Sequence, residues 1–165
     1  MDGHSLGTMT VTIFIHGLES SNKGTKSIFF RDRYPDMIIP NFAGDLEARM
    51  EKLESVLSGK TGIRLVGSSF GGLMASIFAM HNESRVEKMV LLAPAINLMH
   101  FARHGNKQVS IPVWVFHGTN DQVIPFDEVE TVARDTFTDL SFNAVNDDHF
   151  LHKTFKTIDW DGILL

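Results

Sequence analysis

The sequence contains no cysteine. That single absence excludes a disulfide framework, a thiolate zinc site and a cysteine nucleophile, and it suits a reducing compartment. A basic surplus is also missing: 15 Lys and Arg face 20 Asp and Glu, for a net charge of −5, so the charged footprint of a nucleic-acid binder is not there. No long hydrophobic run occurs. The most apolar stretches, residues 72–80 and 89–96, fall far short of the ~18 residues that a membrane span needs. The opening Met1-Asp2-Gly3-His4 has neither the positive nor the apolar region of a secretory leader. The expectation is a soluble cytoplasmic protein with no membrane span and no nucleic-acid partner. What is present is ordinary globular material. The 165 residues are 43% hydrophobic, with 13 Gly and 5 Pro, which fits one domain over residues 1–165 with a real core and excludes a low-complexity chain.

The order of elements points to an α/β fold. Residues 9–15 (MTVTIFI) are β-branched and aromatic and stop before Gly17, which predicts a first strand. Residues 26–34 read as a helix ended by Pro35, and residues 37–40 as a short second strand. Asp45 opens a helix in which Leu46, Met50, Leu53 and Leu57 recur at helical spacing, with Gly59 just past its end. Strands follow at residues 63–66, 88–92, 113–116 and 140–145, and helices at 70–80, 128–137 and 154–160. Short apolar strands separated by helices predict a mostly parallel sheet with helices on both faces.

The chemistry-bearing residues begin where the third strand ends, at Gly67-Ser68-Ser69-Phe70-Gly71. This is G-x-S-x-G between a β-branched strand and an apolar helix. The central serine sits on a strained turn that lifts its hydroxyl clear of the sheet, and small residues flank it because strand and helix nearly collide there. The helix N-terminus aims free N–H groups at a developing oxyanion. His16-Gly17-Leu18, at the end of the first strand, can point the Leu18 N–H at the same place as the Phe70 N–H. Asp121 follows the fifth strand and His149 the sixth, so both lie at the carboxyl edge of the sheet with Ser69. A serine hydroxyl becomes a nucleophile when a neutral imidazole takes its proton, and a carboxylate fixes that imidazole's tautomer.

Competing assignments follow from the same residues. Asp127 is a weaker alternative acid; Asp147 and Asp148 are too close in sequence to face the His149 ring; Ser68 points away from the turn centre. His16 pins its turn through buried hydrogen bonds or else touches substrate, and Gly17, Ser20 and Met99 are further candidate substrate contacts. Ser20 and Ser21 otherwise cap the first helix. The segment 95–104 (AINLMHFARH) is either a short packed helix or one wall of an acyl pocket, and could cover the site. The pairs His149/His152 and His100/His104 have metal-like spacing but lack the glutamate of H-E-x-x-H, so no metal is expected.

The segments IFIHGLESS (13–21), LVGSSFGG (65–72), VFHGTNDQVIP (115–125) and DDHF (147–150) together resemble the α/β-hydrolase superfamily, and within it the compact, lid-less bacterial serine esterases. The resemblance spans the chain in the right order. It implies Ser69 as nucleophile, Asp121 as acid, His149 as base, and Leu18 and Phe70 as oxyanion donors. It also implies a minimal sheet of about six strands, because the antiparallel strands that usually open the fold are missing. The connection from Pro94 to Pro112 is too short for a lid domain. The function expected is hydrolysis of a small carboxylic ester through an acyl-enzyme, with no cofactor. An acyl thioesterase using the same residues is the near alternative. A non-catalytic binding module on a hydrolase fold is the distant one.

Overall fold

The computed structural model describes residues 10–98 and 107–165. Met9, Met99, His100 and His104 lie outside that set, as does most of the 95–104 segment. The described elements are β1 (Val11–Ile15), α1 (Thr25–Arg33), α2 (Leu46–Val56), β2 (Ile63–Ser68), α3 (Phe70–His81), β3 (Val86–Leu92), β4 (Val109–Gly118), α4 (Phe126–Thr136), β5 (Phe137–Val145) and α5 (Trp160–Leu164). The five strands form one sheet in the order β1-β2-β3-β4-β5. Every neighbouring pair is parallel.

Alternation along each strand divides the core in two. Ile13, Ile15, Leu65, Met89, Leu91, Val113 and Val115 face α2, α3 and α4. Phe14, Val66, Val90 and Leu92 face α1 and α5, where Phe30, Phe155 and Trp160 form an aromatic cluster. A strand buried on both faces must be apolar at every position, and that is why these strands read as unbroken hydrophobic runs. The helix at residues 70–81 is buried along nearly its whole length, as its uniformly apolar sequence requires.

Three elements depart from the sequence expectation. Residues 37–40 make no sixth strand. They contribute one parallel bridge, Ile13 to Ile38, with the Phe14 N–H donating to the Ile38 carbonyl (3.0 Å) and the Ile38 N–H donating to Thr12 (2.9 Å). Pro35 and Pro40 bracket the bridge, and a residue without an N–H cannot extend a ladder. β4 begins at Val109, before Pro112, because the register shifts between Val109 and Pro112, and an irregularity of this kind is where a strand tolerates proline. The expected helix at 154–160 splits into a 3-10 turn, Phe155–Thr157, and the short α5. Ile158 is extended, and the Asp159 carboxylate accepts the Gly162 N–H (3.1 Å), so the helix restarts from a new cap.

The parallel register stacks the carboxyl ends of the strands. Ile15 pairs with Gly67, Ser68 with Leu92, Leu92 with Phe116, and Gly118 with Val145. The loops that leave these ends therefore open onto one edge of the sheet. Among the described residues no helix is long and apolar enough to cross a membrane.

Candidate active site

Ser69 caps α3 with φ 56° and ψ −117°, a left-handed conformation that costs a non-glycine residue on the order of 1–3 kcal/mol. The surroundings hold it there. The Ser69 N–H donates to the Leu92 carbonyl (2.9 Å), and the Ser69 carbonyl accepts from Gly72 (2.9 Å), Leu73 (3.3 Å) and Ala95 (2.9 Å). The flanking glycines are there for contact. A Cβ on Gly67 would strike the backbone of Gly71 and Gly72, and one on Gly71 would fall on the Ile15 carbonyl.

The structure brings Ser69, His149 and Asp121 into one hydrogen-bonded row. Ser69 Oγ lies 3.1 Å from His149 Nε2, and His149 Nδ1 lies 2.8 Å from Asp121 Oδ2. An ionised carboxylate only accepts, so Nδ1 holds the ring proton and Nε2 offers its lone pair to the serine hydroxyl. The Asp121 side chain is fully buried. Its second oxygen, Oδ1, accepts the N–H groups of Val123 and Ile124, both at 2.8 Å.

The His16-Gly17-Leu18 turn lies against the same point. A Cβ on Gly17 would sit 3.3 Å from Ser69 Cβ and 3.8 Å from Ser69 Oγ. Neither the Leu18 N–H nor the Phe70 N–H has a partner among the described residues. The imidazole of His16 has a structural part. It is buried, Nδ1–H donates to the Gly17 carbonyl (2.7 Å), and Nε2 accepts the Phe42 N–H (2.9 Å), so both nitrogens are used in shaping the turn. Burial, with Arg49 and Lys52 nearby, pushes the His16 pKa down despite its bond to Gly17, consistent with a neutral ring.

Other candidates fall elsewhere. Ser20 is exposed and reaches only the Ser21 carbonyl, at 3.5 Å. Neither serine caps α1, whose N-cap is Gly24 with no side-chain bond. Asp127 is exposed on the first turn of α4, beside Asn97 and Thr131. Met99 lies outside the described residues. Of the 95–104 segment, Ala95 and Ile96 are buried in the core and Asn97 donates to Glu128 (3.0 Å).

The loop carrying His149 is held by Asp147 beside it and by Lys26 from α1. Asp147 is buried and accepts three backbone N–H groups: Asp148 (2.8 Å), Lys153 (3.0 Å) and Thr154 (2.8 Å). Burial raises its carboxyl pKa, but these bonds together outweigh burial and hold it below the ordinary value. Asp148 turns outward to His152 Nδ1, at 2.6 Å, and faces away from the site. Lys26 of α1 donates to the Phe150 carbonyl (2.8 Å) across 124 residues of sequence. Its pKa is lowered by burial against the pull of Asp148 and Asp147.

The apolar groove between α2 and α3 is lined by Leu46, Met50, Phe70 and Ile77, and not by Ser69, Asp121 or His149. Three exposed apolar side chains, Leu18, Val123 and Phe150, stand in the segments that carry the site, Val123 and Phe150 within two residues of Asp121 and His149. Among the described residues no cluster of three or more His, Asp or Glu has the arrangement of a metal site.

Comparison with known proteins follows this geometry. The model of the dienelactone hydrolase family matches residues 22–144, a span that contains Ser69 and Asp121 and stops short of both His149 and the Leu18 turn. No functionally curated protein matches the sequence. Solved structures resemble it at fold level. Est1E from Butyrivibrio proteoclasticus with ferulic acid bound superposes with a TM-score of 0.74 at 13% identity, covering 91% of this chain and 85% of that one. The α/β hydrolase domain-containing protein 10 from mouse gives 0.70 at 17% identity, covering 84% and 81%. An α/β serine hydrolase homologue from Coxiella burnetii gives 0.68 at 18% identity, covering 86% and 78%.

Proposed function

The chain belongs to the dienelactone hydrolase family, within the α/β-hydrolase superfamily, and on that premise we propose that it is a serine hydrolase of carboxylic esters. The observation that carries the reading is the row Ser69 Oγ, His149 Nε2, His149 Nδ1 and Asp121 Oδ2, at 3.1 and 2.8 Å. His149 takes the Ser69 proton as Oγ bonds to the ester carbonyl carbon. The carbonyl oxygen becomes an oxyanion between the N–H groups of Leu18 and Phe70. His149 then gives its proton to the departing alkoxide, the C–O bond breaks, and an acyl-enzyme and an alcohol result. Water attacks the acyl carbon while His149 takes its proton, and returning that proton to Ser69 Oγ frees the acid. Asp121 stays ionised and holds the tautomer throughout.

The substrate class follows from the rim. Leu18, Val123 and Phe150 are exposed apolar groups in the segments that carry the site, and this favours an ester with a compact apolar acyl or aryl group. Est1E, which shares the fold, holds an aromatic acid. A fluorophosphonate probe with mass analysis, together with p-nitrophenyl ester hydrolysis, tests the reading. One adduct at Ser69 and its loss in Ser69→Ala are expected. An unlabelled Ser69 in folded protein would leave the binding-module alternative. Matched oxygen and sulfur esters separate esterase from thioesterase by their kcat/KM ratio.

A further inference from the structure

His117 occupies the penultimate position of β4 and is completely buried. Its Nε2 lies 3.0 Å from the Ile124 carbonyl and 3.3 Å from Asp121 Oδ2. A carbonyl oxygen only accepts, so Nε2 carries a proton. Nδ1 is buried and has no partner. A second proton there would be an unpaired donor on a buried cation, so the ring is neutral. Burial pushes its pKa down, against the contributions of Ile124 and Asp121 and together with that of His149. The other ring packed on it is Phe126, 6.0 Å away.

The consequence appears at the carboxylate. A buried carboxylate has about four lone-pair directions to satisfy. On Asp121, Oδ1 takes two backbone N–H groups and Oδ2 takes His149 Nδ1–H, while His117 Nε2, hydrogen-bonded to the Ile124 carbonyl, lies 3.3 Å from Oδ2. We propose that His117 is a positioning residue: with its Nε2–H given to the Ile124 carbonyl, its ring edge lies 3.3 Å from Asp121 Oδ2 and closes that side of the carboxylate, leaving open the direction that His149 uses. This rests on the reading that Asp121 and His149 serve Ser69. The i, i+4 pair also bridges the turn from β4 toward α4, because the same N–H holds the Ile124 carbonyl while the Ile124 N–H holds Asp121.

Two substitutions and one measurement on the unaltered protein test this. His117→Phe removes the donor and keeps a ring, whereas His117→Gln keeps an N–H within similar reach. In His117→Phe, kcat is expected to fall about tenfold with KM little changed, the loss expected of a slightly misplaced base. The acid limb of the kcat/KM profile should move to higher pH, because a carboxylate that loses the adjacent imidazole N–H dipole draws more strongly on the His149 proton. His117→Gln should bring the limb back toward its original position. An unmoved limb in His117→Phe, or equal damage in both variants, overturns the proposal. Nitrogen-15 imidazole spectra of the wild-type protein, with no substrate present, should report His117 as a neutral Nε2–H tautomer from pH 5 to 8. A charged ring or an Nδ1–H tautomer overturns it even if neither variant folds. If Ser69 resists the fluorophosphonate while His117 shows the expected tautomer, the esterase reading fails and the His117 arrangement stands.

Discussion

Two neighbouring members of the hydrogen-bonded row, Ser69 and His149, are held in opposite ways. Around Ser69 the contacts are backbone to backbone: Gly67 against Gly71, Gly71 against Ile15, and the Ser69 N–H on Leu92. Around His149 they are side chain to backbone: Asp147 gathers three N–H groups, and Lys26 reaches the Phe150 carbonyl from another helix. A turn built from backbone has nothing to trim, and any added Cβ collides. A loop built from side chains can be loosened one bond at a time. The serine turn should therefore respond to mutation in an all-or-none way, and the histidine loop by degrees.

The most damaging changes remove the chemistry itself. Ser69→Ala should lower ester hydrolysis by at least ~10⁴-fold with the fold intact, whereas Ser68→Ala, on the neighbouring strand residue, should be mild. Steady-state rates with circular dichroism on both variants give the ranking, and a reversed order would place the nucleophile at Ser68. Asp121→Asn should cost roughly 10⁴-fold through the wrong imidazole tautomer. Asp127→Asn, on an exposed helix turn, should cost little, and kcat/KM for the pair decides which carboxylate is used.

The next prediction tests the backbone side of the comparison directly. Gly71→Ala places a methyl group on the Ile15 carbonyl, and the strand cannot yield without disturbing β1. A loss exceeding about 4 kcal/mol by urea denaturation, or no folded protein, is expected from such a collision. Normal stability would mean that the elbow has slack.

On the histidine side the effects are smaller. Lys26→Met deletes one hydrogen bond, worth about 1 kcal/mol, and should lower kcat a few-fold while Tm drops slightly. A loss as large as that of Ser69→Ala would contradict the graded picture. Asp147 adds a pH signature. Its folded pKa lies below the ordinary carboxyl value, so its contribution to stability is full above the unfolded pKa and disappears as pH falls through the folded one. Melting curves from pH 6 down to 3 should show the wild-type protein losing more of its Tm than Asp147→Asn. Parallel curves would remove Asp147 from the account. The mildest test concerns substrate length. Rates on p-nitrophenyl esters from C2 to C16 should favour short or medium chains, since the short connection from Pro94 to Pro112 leaves no room for a lid domain to bury methylenes at about 0.8 kcal/mol each; a maximum at C12 or beyond would require a cover over the site.

The same contrast explains what was legible in the sequence. The elbow is local: five consecutive residues between a strand and a helix state their own geometry, and Gly67, Ser69 and Gly71 stand as the spacing requires. Most strands were legible because burial on both faces forces continuous apolar runs. The second strand was overread, because Met37, Ile38 and Ile39 have strand composition while the prolines on either side limit them to one bridge. The last helix was overread because composition does not reveal an extended Ile158 or a side-chain cap at Asp159. Of the supporting residues, Lys26 gives no local sign, as its partner is 124 residues away. His117 did carry a signal, a histidine just before the glycine that opens the Asp121 turn, but its burial and orientation come only with the fold.

The tie from Lys26 to Phe150 has a consequence for how such a chain is made. Synthesis runs from the amino to the carboxyl end, so β1, the elbow and the Asp121 turn leave the ribosome before His149 does. The contacts of Phe155 and Trp160 with Phe30 and the bond from Lys26 to Phe150 join the end of the chain to α1, so they form only after His149 has been made. A nascent chain therefore carries a sprung serine with no base beside it and stays chemically silent. Reactivity toward esters would then appear in a single late step, which makes a serine-directed probe a reporter of finished folding rather than of synthesis.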